Sequence, residues 1–333
     1  MLSRGLSRFP AVLLGGLAIA ASQWLQCTED VRLVGRSSPS KPDAGSDSAP
    51  PPATGSAGAP AAPAELSAFS PPQIVSELSD PNADESEPTL TTDELEIYFR
   101  SDRLGRPQIF AASRQSSSDR WSIPSLVDEL VSETGATYSP EISPDGGTLF
   151  FVSDRPGGLG SQDIYVTTRQ KRGEPWSAPK NVTELNTGAC EIDPGPLLDH
   201  DQMIVTRCND IGHNHLWLTQ RAGPGASWDP PESGPIDQLN TDEKEGDPVF
   251  AQDGLALYFA TTRDTSPSGD NRADIWRAAR ASLKEGFGPP EPVVELNILA
   301  VDDQDPWVSN DEQHIVFTSA RDRVPREIYE AWR

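Results

Sequence analysis

The sequence predicts an all-β chain in which one four-stranded unit recurs five times. Three observations point there. The 333 residues include 32 prolines and 26 glycines against a hydrophobic share of 35%, which suits many short strands and turns better than packed helices. A proline opens a strand at Pro88, Pro140, Pro194, Pro248 and Pro306, at spacings of 52, 54, 54 and 58 residues. The same succession of residue types then follows each proline, and a fixed period of this kind marks a repeat architecture.

Each element of the unit has its own signal. After the first strand comes a turn: Thr92-Asp93-Glu94, Pro144-Asp145-Gly146-Gly147, Asp199-His200-Asp201, Gln252-Asp253-Gly254 and Asn310-Asp311-Glu312. Asp, Asn and Gly supply the side-chain hydrogen bonds and positive φ of tight hairpins. A second strand follows that is apolar on both faces, as in Leu149-Phe150-Phe151-Val152 and Leu257-Tyr258-Phe259, which a sheet stacked between two neighbours would require. Ile109-Phe110, Ile164-Tyr165, Leu216-Trp217, Ile275-Trp276 and Ile328-Tyr329 mark the third strand. The fourth begins with an aromatic and a proline, at Trp121 and Pro124, Trp176 and Pro179, Trp228 and Pro230, and Phe287 and Pro289.

Four short strands at this period are the signature of a β-propeller blade. The fifth copy stops after its third strand, while residues 69–79 match the fourth-strand segment 176–186 and have no preceding blade. The prediction is a five-bladed β-propeller of four-stranded antiparallel blades over 69–333, closed by an N-terminal strand that completes the last blade.

Ahead of it, Arg4 and Arg8 precede the mostly apolar run Phe9 to Ala21, and small residues follow, the order of a secretory signal. Trp24-Leu25-Gln26-Cys27 resembles a bacterial lipobox, with Gln26 where that pattern has a small residue. Lipidation of Cys27 and cleavage after Ala20 are the two alternatives. Residues 1–27 are read as the signal peptide and 28–68 as a Ser/Pro/Ala/Gly-rich linker whose composition cannot bury enough surface to fold. No later apolar run approaches the roughly 18 residues of a spanning helix. The expectation is an exported monomer, periplasmic or an outer-membrane lipoprotein, touching a membrane only through a lipid at Cys27.

The net charge of −24 excludes a default nucleic-acid binder, whose footprint would be basic. Acidic residues stand before the anchor proline in four blades: Glu85 and Glu87, Glu191 and Asp193, Glu245 and Asp247, Asp303 and Asp305. Blade two has Ser139 there, with Glu141 after its proline. At a channel mouth these eight acids would receive a basic peptide or a hard cation such as Ca2+. One arginine per blade, Arg103, Arg155, Arg207, Arg263 and Arg321, ends the second strand and would pair with one acid per blade, fixing blade packing instead. Cys190 and Cys208 flank the first hairpin of blade three; a hairpin centred near His200 puts residue 192 opposite 208, so the pair is near register, and a disulfide is read ahead of two free thiols. His213 and His215 lack a third ligand nearby in sequence, and no metal is assigned. Gly-x-Ser-x-Gly, phosphate-loop and His-Glu-x-x-His motifs are absent.

Ser143-Pro144-Asp145-Gly146, Ser153-Asp154-Arg155 and Asp163-Ile164-Tyr165-Val166 resemble the repeat of the TolB-type, WD-repeat-like propellers of bacterial envelopes, over residues 69–333 and best in blade two. TolB itself has six blades and an α/β domain ahead of them, where this chain has the linker. Together with the export signal, the spacer and the missing catalytic motifs, the resemblance implies a non-enzymatic envelope module, without cofactor, that binds a protein, peptide or cell-wall component through the acidic channel face; a pure scaffold with no ligand at the channel is a further reading. The alternative is a glycoside hydrolase, because some five-bladed propellers resemble this architecture and use channel-mouth carboxylates as acid and base.

Overall fold

Runs of β-branched and aromatic residues, each ended by a polar turn, pair into five antiparallel sheets arranged as a five-bladed β-propeller. The computed structural model describes residues 66–333 except 198, 200, 209–212, 264–271 and 323–324, and the side chain of Gln252. The signal-like segment, Cys27 and the linker up to residue 65 lie outside the described residues. The described residues fall within one unit, Ala64–Arg333. Among them, no helix is long and apolar enough to cross a membrane.

The chain begins with β1 (Gln73–Ile74). Blade one holds β2 (Glu85–Leu90), β3 (Glu96–Ser101), β4 (Gln108–Ser113) and β5 (Ser125–Leu126). Blade two holds β6 (Thr137–Ile142), β7 (Thr148–Ser153), β8 (Asp163–Thr168) and β9 (Lys180–Asn181). In blade three, β10 (Cys190–Leu197), β11 (Gln202–Cys208) and β12 (Asn214–Gln220) form the sheet. Its fourth position is reduced to the bridges Leu218 to Glu232 and Arg221 to Trp228. Blade four holds β13 (Glu245–Ala251), β14 (Ala256–Thr261), β15 (Asp274–Ala279) and β16 (Glu291–Pro292). Blade five has β17 (Asp303–Val308), β18 (His314–Ser319) and β19 (Glu327–Trp332), and β1 pairs with β19 through Gln73 to Glu330 and Ile74 to Tyr329. The ring therefore closes by the expected exchange of an N-terminal strand.

The second strands are the most buried, and β14 and β18 are covered along their whole length. The core consists of apolar layers between neighbouring blades. Val75, Leu78, Ile97 and Phe99 meet Trp307, Val316 and Ile328 across the junction of blades five and one. Equivalent layers fill the other four junctions. Burial of each large side chain there contributes about 1.5–3 kcal/mol.

Two further devices repeat. Asn186, Asn240 and Asn297 each accept from and donate to the backbone of one third-strand residue, Ile164, Leu216 and Ile275, standing in for a strand where the fourth one ends. A second arginine series stacks on the aromatic that opens the outer strand: Arg114 on Trp121, Arg169 on Trp176, Arg221 on Trp228, Arg280 on Phe287 and Arg333 on Phe69. The last of these joins the two ends of the closing blade.

Candidate functional site: the axial channel

The first strands β2, β6, β10, β13 and β17 contact one another around the axis. Each is broken by a bulge at its anchor proline, where the pairing register slips. The residue before the proline takes positive φ in every blade: Glu87 at 56°, Ser139 at 40°, Asp193 at 46°, Asp247 at 53° and Asp305 at 53°. Short polar side chains tolerate this conformation because they can hydrogen-bond locally.

Glu85 and Glu87 would share a face in an unbroken strand, but the bulge separates their fates. Glu85, Glu191, Glu245 and Asp303 are fully buried and turn to the second-strand arginines. Arg103 meets Glu85 at 2.9 Å, Arg207 meets Glu191 at 3.4 Å, Arg263 meets Glu245 at 3.1 Å and Arg321 meets Asp303 at 2.6 Å. The same arginines donate to the carbonyls of Leu78, Leu185, Leu239 and Leu296. These four acids also accept from the loops before them, Glu85 from Asp80 N–H, Glu191 from Thr187, Glu245 from Thr241 and Asp303 from Ile298 N–H. Arg155 has Thr137 where the other blades have an acid, and it bonds Ser153 and the carbonyl of Leu130. Burial pushes the Glu85 and Asp303 carboxyls up, against the opposing pull of the hydrogen bonds they accept and of their arginines.

Glu87, Asp193, Asp247 and Asp305 face the axis instead. They line, with Ser139, Glu141 and the anchor prolines, a cavity of ≈ 40 Å³. A chain of hydrogen bonds runs round it. The N–H of Glu87 donates to Asp305 at 3.2 Å, that of Ser139 to Glu87 at 2.6 Å, that of Asp247 to Asp193 at 3.4 Å and that of Asp305 to Asp247 at 3.3 Å. The Ser139 hydroxyl donates to Asp193 at 2.8 Å. Burial raises the Asp193 carboxyl and, with the charges of Asp305 and Asp193, holds Asp247 well above the usual range. Burial likewise pushes Glu87 up to about 7, although Arg100 lies 3.9 Å away. The expectation of eight acids at one mouth is corrected accordingly: four are committed to arginines, and four form a hydrogen-bonded ring part-way along the channel. Among the described residues no three His, Cys, Asp or Glu side chains converge to hold a metal ion.

A larger cavity of ≈ 460 Å³ lies at the opposite face to the one the sequence singled out, among the turns that join first and second strands. Leu90, Ile142, Leu197, Val249, Phe250 and Trp307 supply its apolar wall. Asp145, Asp199, Asp253 and Asn310 are exposed at its rim. Glu141 lines both cavities, and burial raises it to about 8, opposed by a hydrogen bond with Thr89. The sequence carried a sign of this residue, since it is the one carboxylate immediately following an anchor proline. The cavity itself had none, because its wall is assembled from short segments of five different blades.

Cys190 and Cys208 are direct cross-strand partners, with Cα atoms 5.3 Å apart, and are joined as a disulfide. The expected register was off by two because the bulge between Ile192 and Gly195 shifts the pairing and the hairpin centre lies before residue 200. His215 pairs across the sheet with Arg207.

The fold and its axial site define the class: a five-bladed β-propeller with a carboxyl-lined channel. No protein-family model matches the chain, and no curated protein sequence does. Among solved structures it is similar to an endo-arabinase from Bacteroides thetaiotaomicron, with 12% identity, a TM-score of 0.54 and coverage of 78% of this chain and 96% of that one. An α-L-arabinofuranosidase from Lactobacillus brevis gives 11% identity, a TM-score of 0.50 and coverage of 78% and 94%. TolB from Acinetobacter baumannii gives 15% identity and a TM-score of 0.45 over 75% of this chain, which spans 54% of that protein's length. Identities this low show a shared fold and no more.

Proposed function

We propose that the protein is an exported cell-envelope propeller that acts as a non-enzymatic interaction module, taking a protein, peptide or cell-wall segment at the turn-side cavity of its channel. The signal-like N-terminus and the TolB-type repeat residues support the setting. One observation carries the choice of a binding role over hydrolysis. The ring carboxyls are hydrogen-bonded round a gap of ≈ 40 Å³, too small to seat a sugar ring between them. Glycoside hydrolysis needs two carboxyls about 5–10 Å apart with a sugar between them. The cavity of ≈ 460 Å³ has the size of a ligand pocket, with an apolar wall and a polar rim.

The test is affinity capture from a crosslinked envelope fraction, with the full chain as bait beside Leu197→Trp, which narrows and obstructs the cavity, and Asp247→Asn, which alters the ring. A partner held by the wild type and by Asp247→Asn but lost by Leu197→Trp supports the reading; identical capture by all three baits refutes this site.

The glycoside-hydrolase reading rests on Glu141, a carboxyl raised to about 8 beside the larger cavity, as a general acid needs. Release of sugar from arabino-oligosaccharides, abolished by Glu141→Gln, would favour it over the binding role.

A further inference from the structure

The turn-side cavity has a one-sided chemistry. Among the described residues its lining contains four acids, Glu141, Asp145, Asp199 and Asp253, and no Lys, Arg or His. Three of the four stand at the exposed rim, where two of them accept from neutral donors: Asp145 from Ser143 Oγ and Gly147 N–H, Asp253 from Asn310 Nδ2. Glu141 is the one acid at the floor, with the neutral Thr89 as its hydrogen-bond partner. Its counterparts after the other anchor prolines are Thr89, Gly195, Val249 and Trp307, and among the described residues no ion pair joins Glu141 to a basic side chain. Everywhere else near the axis a buried carboxylate is answered by an arginine or by a backbone N–H. A carboxyl taken out of water without a cation is costly, and an incoming cation would relieve that cost.

The wall sets the rest of the ligand. Leu90, Ile142, Leu197 and Val249 offer aliphatic surface between rim and floor. Phe250 and Trp307 add aromatic surface, against which an alkyl chain packs. A long side chain with an apolar stem and a charged tip matches this sequence of environments, and the volume of ≈ 460 Å³ leaves room for apolar groups beside it.

We propose that this cavity seats a Lys or Arg side chain of a peptide segment with apolar neighbours, its cation directed at Glu141 and its flanking residues against the aliphatic wall. The proposal rests on the reading of the propeller as an interaction module and names the chemistry of the segment bound.

The test is isothermal titration of the full chain with three capped tripeptides, Leu-Lys-Leu, Leu-norleucine-Leu and Leu-Glu-Leu, which differ only in the central tip. Affinity is expected to fall in that order, with about tenfold or more between the first and last, equivalent to about 1.4 kcal/mol. Glu141→Gln is expected to bring the lysine peptide close to the norleucine peptide while leaving the latter unchanged. Leu197→Trp is expected to abolish binding of all three. Equal binding of the lysine and norleucine peptides, an undiminished lysine preference in Glu141→Gln, binding retained in Leu197→Trp, or no binding of the lysine peptide at millimolar concentration each overturns the proposal. A partner captured by the wild type but not by Leu197→Trp, in a chain that shows no lysine preference, would leave the module reading standing and remove only the basic segment from it.

Discussion

Glu87 and Glu141 carry the pH dependence of this fold at the level of single residues. Burial raises them from 4.5 to about 7 and about 8. Below 4.5 each is protonated in both folded and unfolded chains. Above it the unfolded chain gives up its proton first, so stability falls as pH rises through the window from 4.5 to about 8. His314, held between Glu94 and Glu330 at 3.2 and 3.3 Å and stacked on Trp332, is raised as well, despite the opposing effect of its burial. Its contribution is present below its unfolded value of 6.5 and is lost as pH passes the folded one. Asp93, Asp145 and Asp311 are lowered by the hydrogen bonds they accept, so their contribution is present above the unfolded value of 3.8 and is lost as pH falls through the folded one. Thermal unfolding is therefore expected at higher temperature at pH 5.5 than at pH 8.5. Glu141→Gln should recover up to about 5 kcal/mol at the higher pH. A melting temperature that climbs steadily from pH 5.5 to 8.5 would contradict this.

Among the elements, the first strand with its bulge decides most, and it was only partly legible. The anchor prolines and the acids around them stand out in the sequence at a fixed spacing, as does the arginine closing each second strand. Which acid meets the arginine was not legible, because that depends on a positive φ at Glu87, Asp193, Asp247 and Asp305 that residue type permits but does not require. The two roles make unequal predictions for the arginines. Arg321→Ala leaves Asp303 buried without its cation and is expected to cost about 3–5 kcal/mol. Arg155→Ala strands no acid, since Thr137 occupies that place, and should cost clearly less. Denaturant unfolding of the two variants measures the difference, and equal losses would remove the structural assignment of the pairs.

For the whole molecule, ring closure was legible because its evidence is arithmetic: a last copy short of one strand and a spare strand at the other end. The turn-side cavity was not, since no contiguous segment encodes it. Closure predicts that deleting residues 69–80 removes β1 and takes Phe69, Val75 and Leu78 from two inter-blade layers. The expected result is loss of the single cooperative transition in calorimetry, replaced by a lower, broader one; an unchanged transition would show that the ring does not depend on this strand.

The pairing of β1 with β19 also gives the fold an order in time. Blades one to four can each assemble from neighbouring sequence, but blade five needs a segment from near residue 73 and another from near residue 330. Contacts so far apart in sequence are slow to form. Any process that delivers the chain from its N-terminus onward handles an open arc with two unpaired edges, and the finished ring exists only once β19 has arrived.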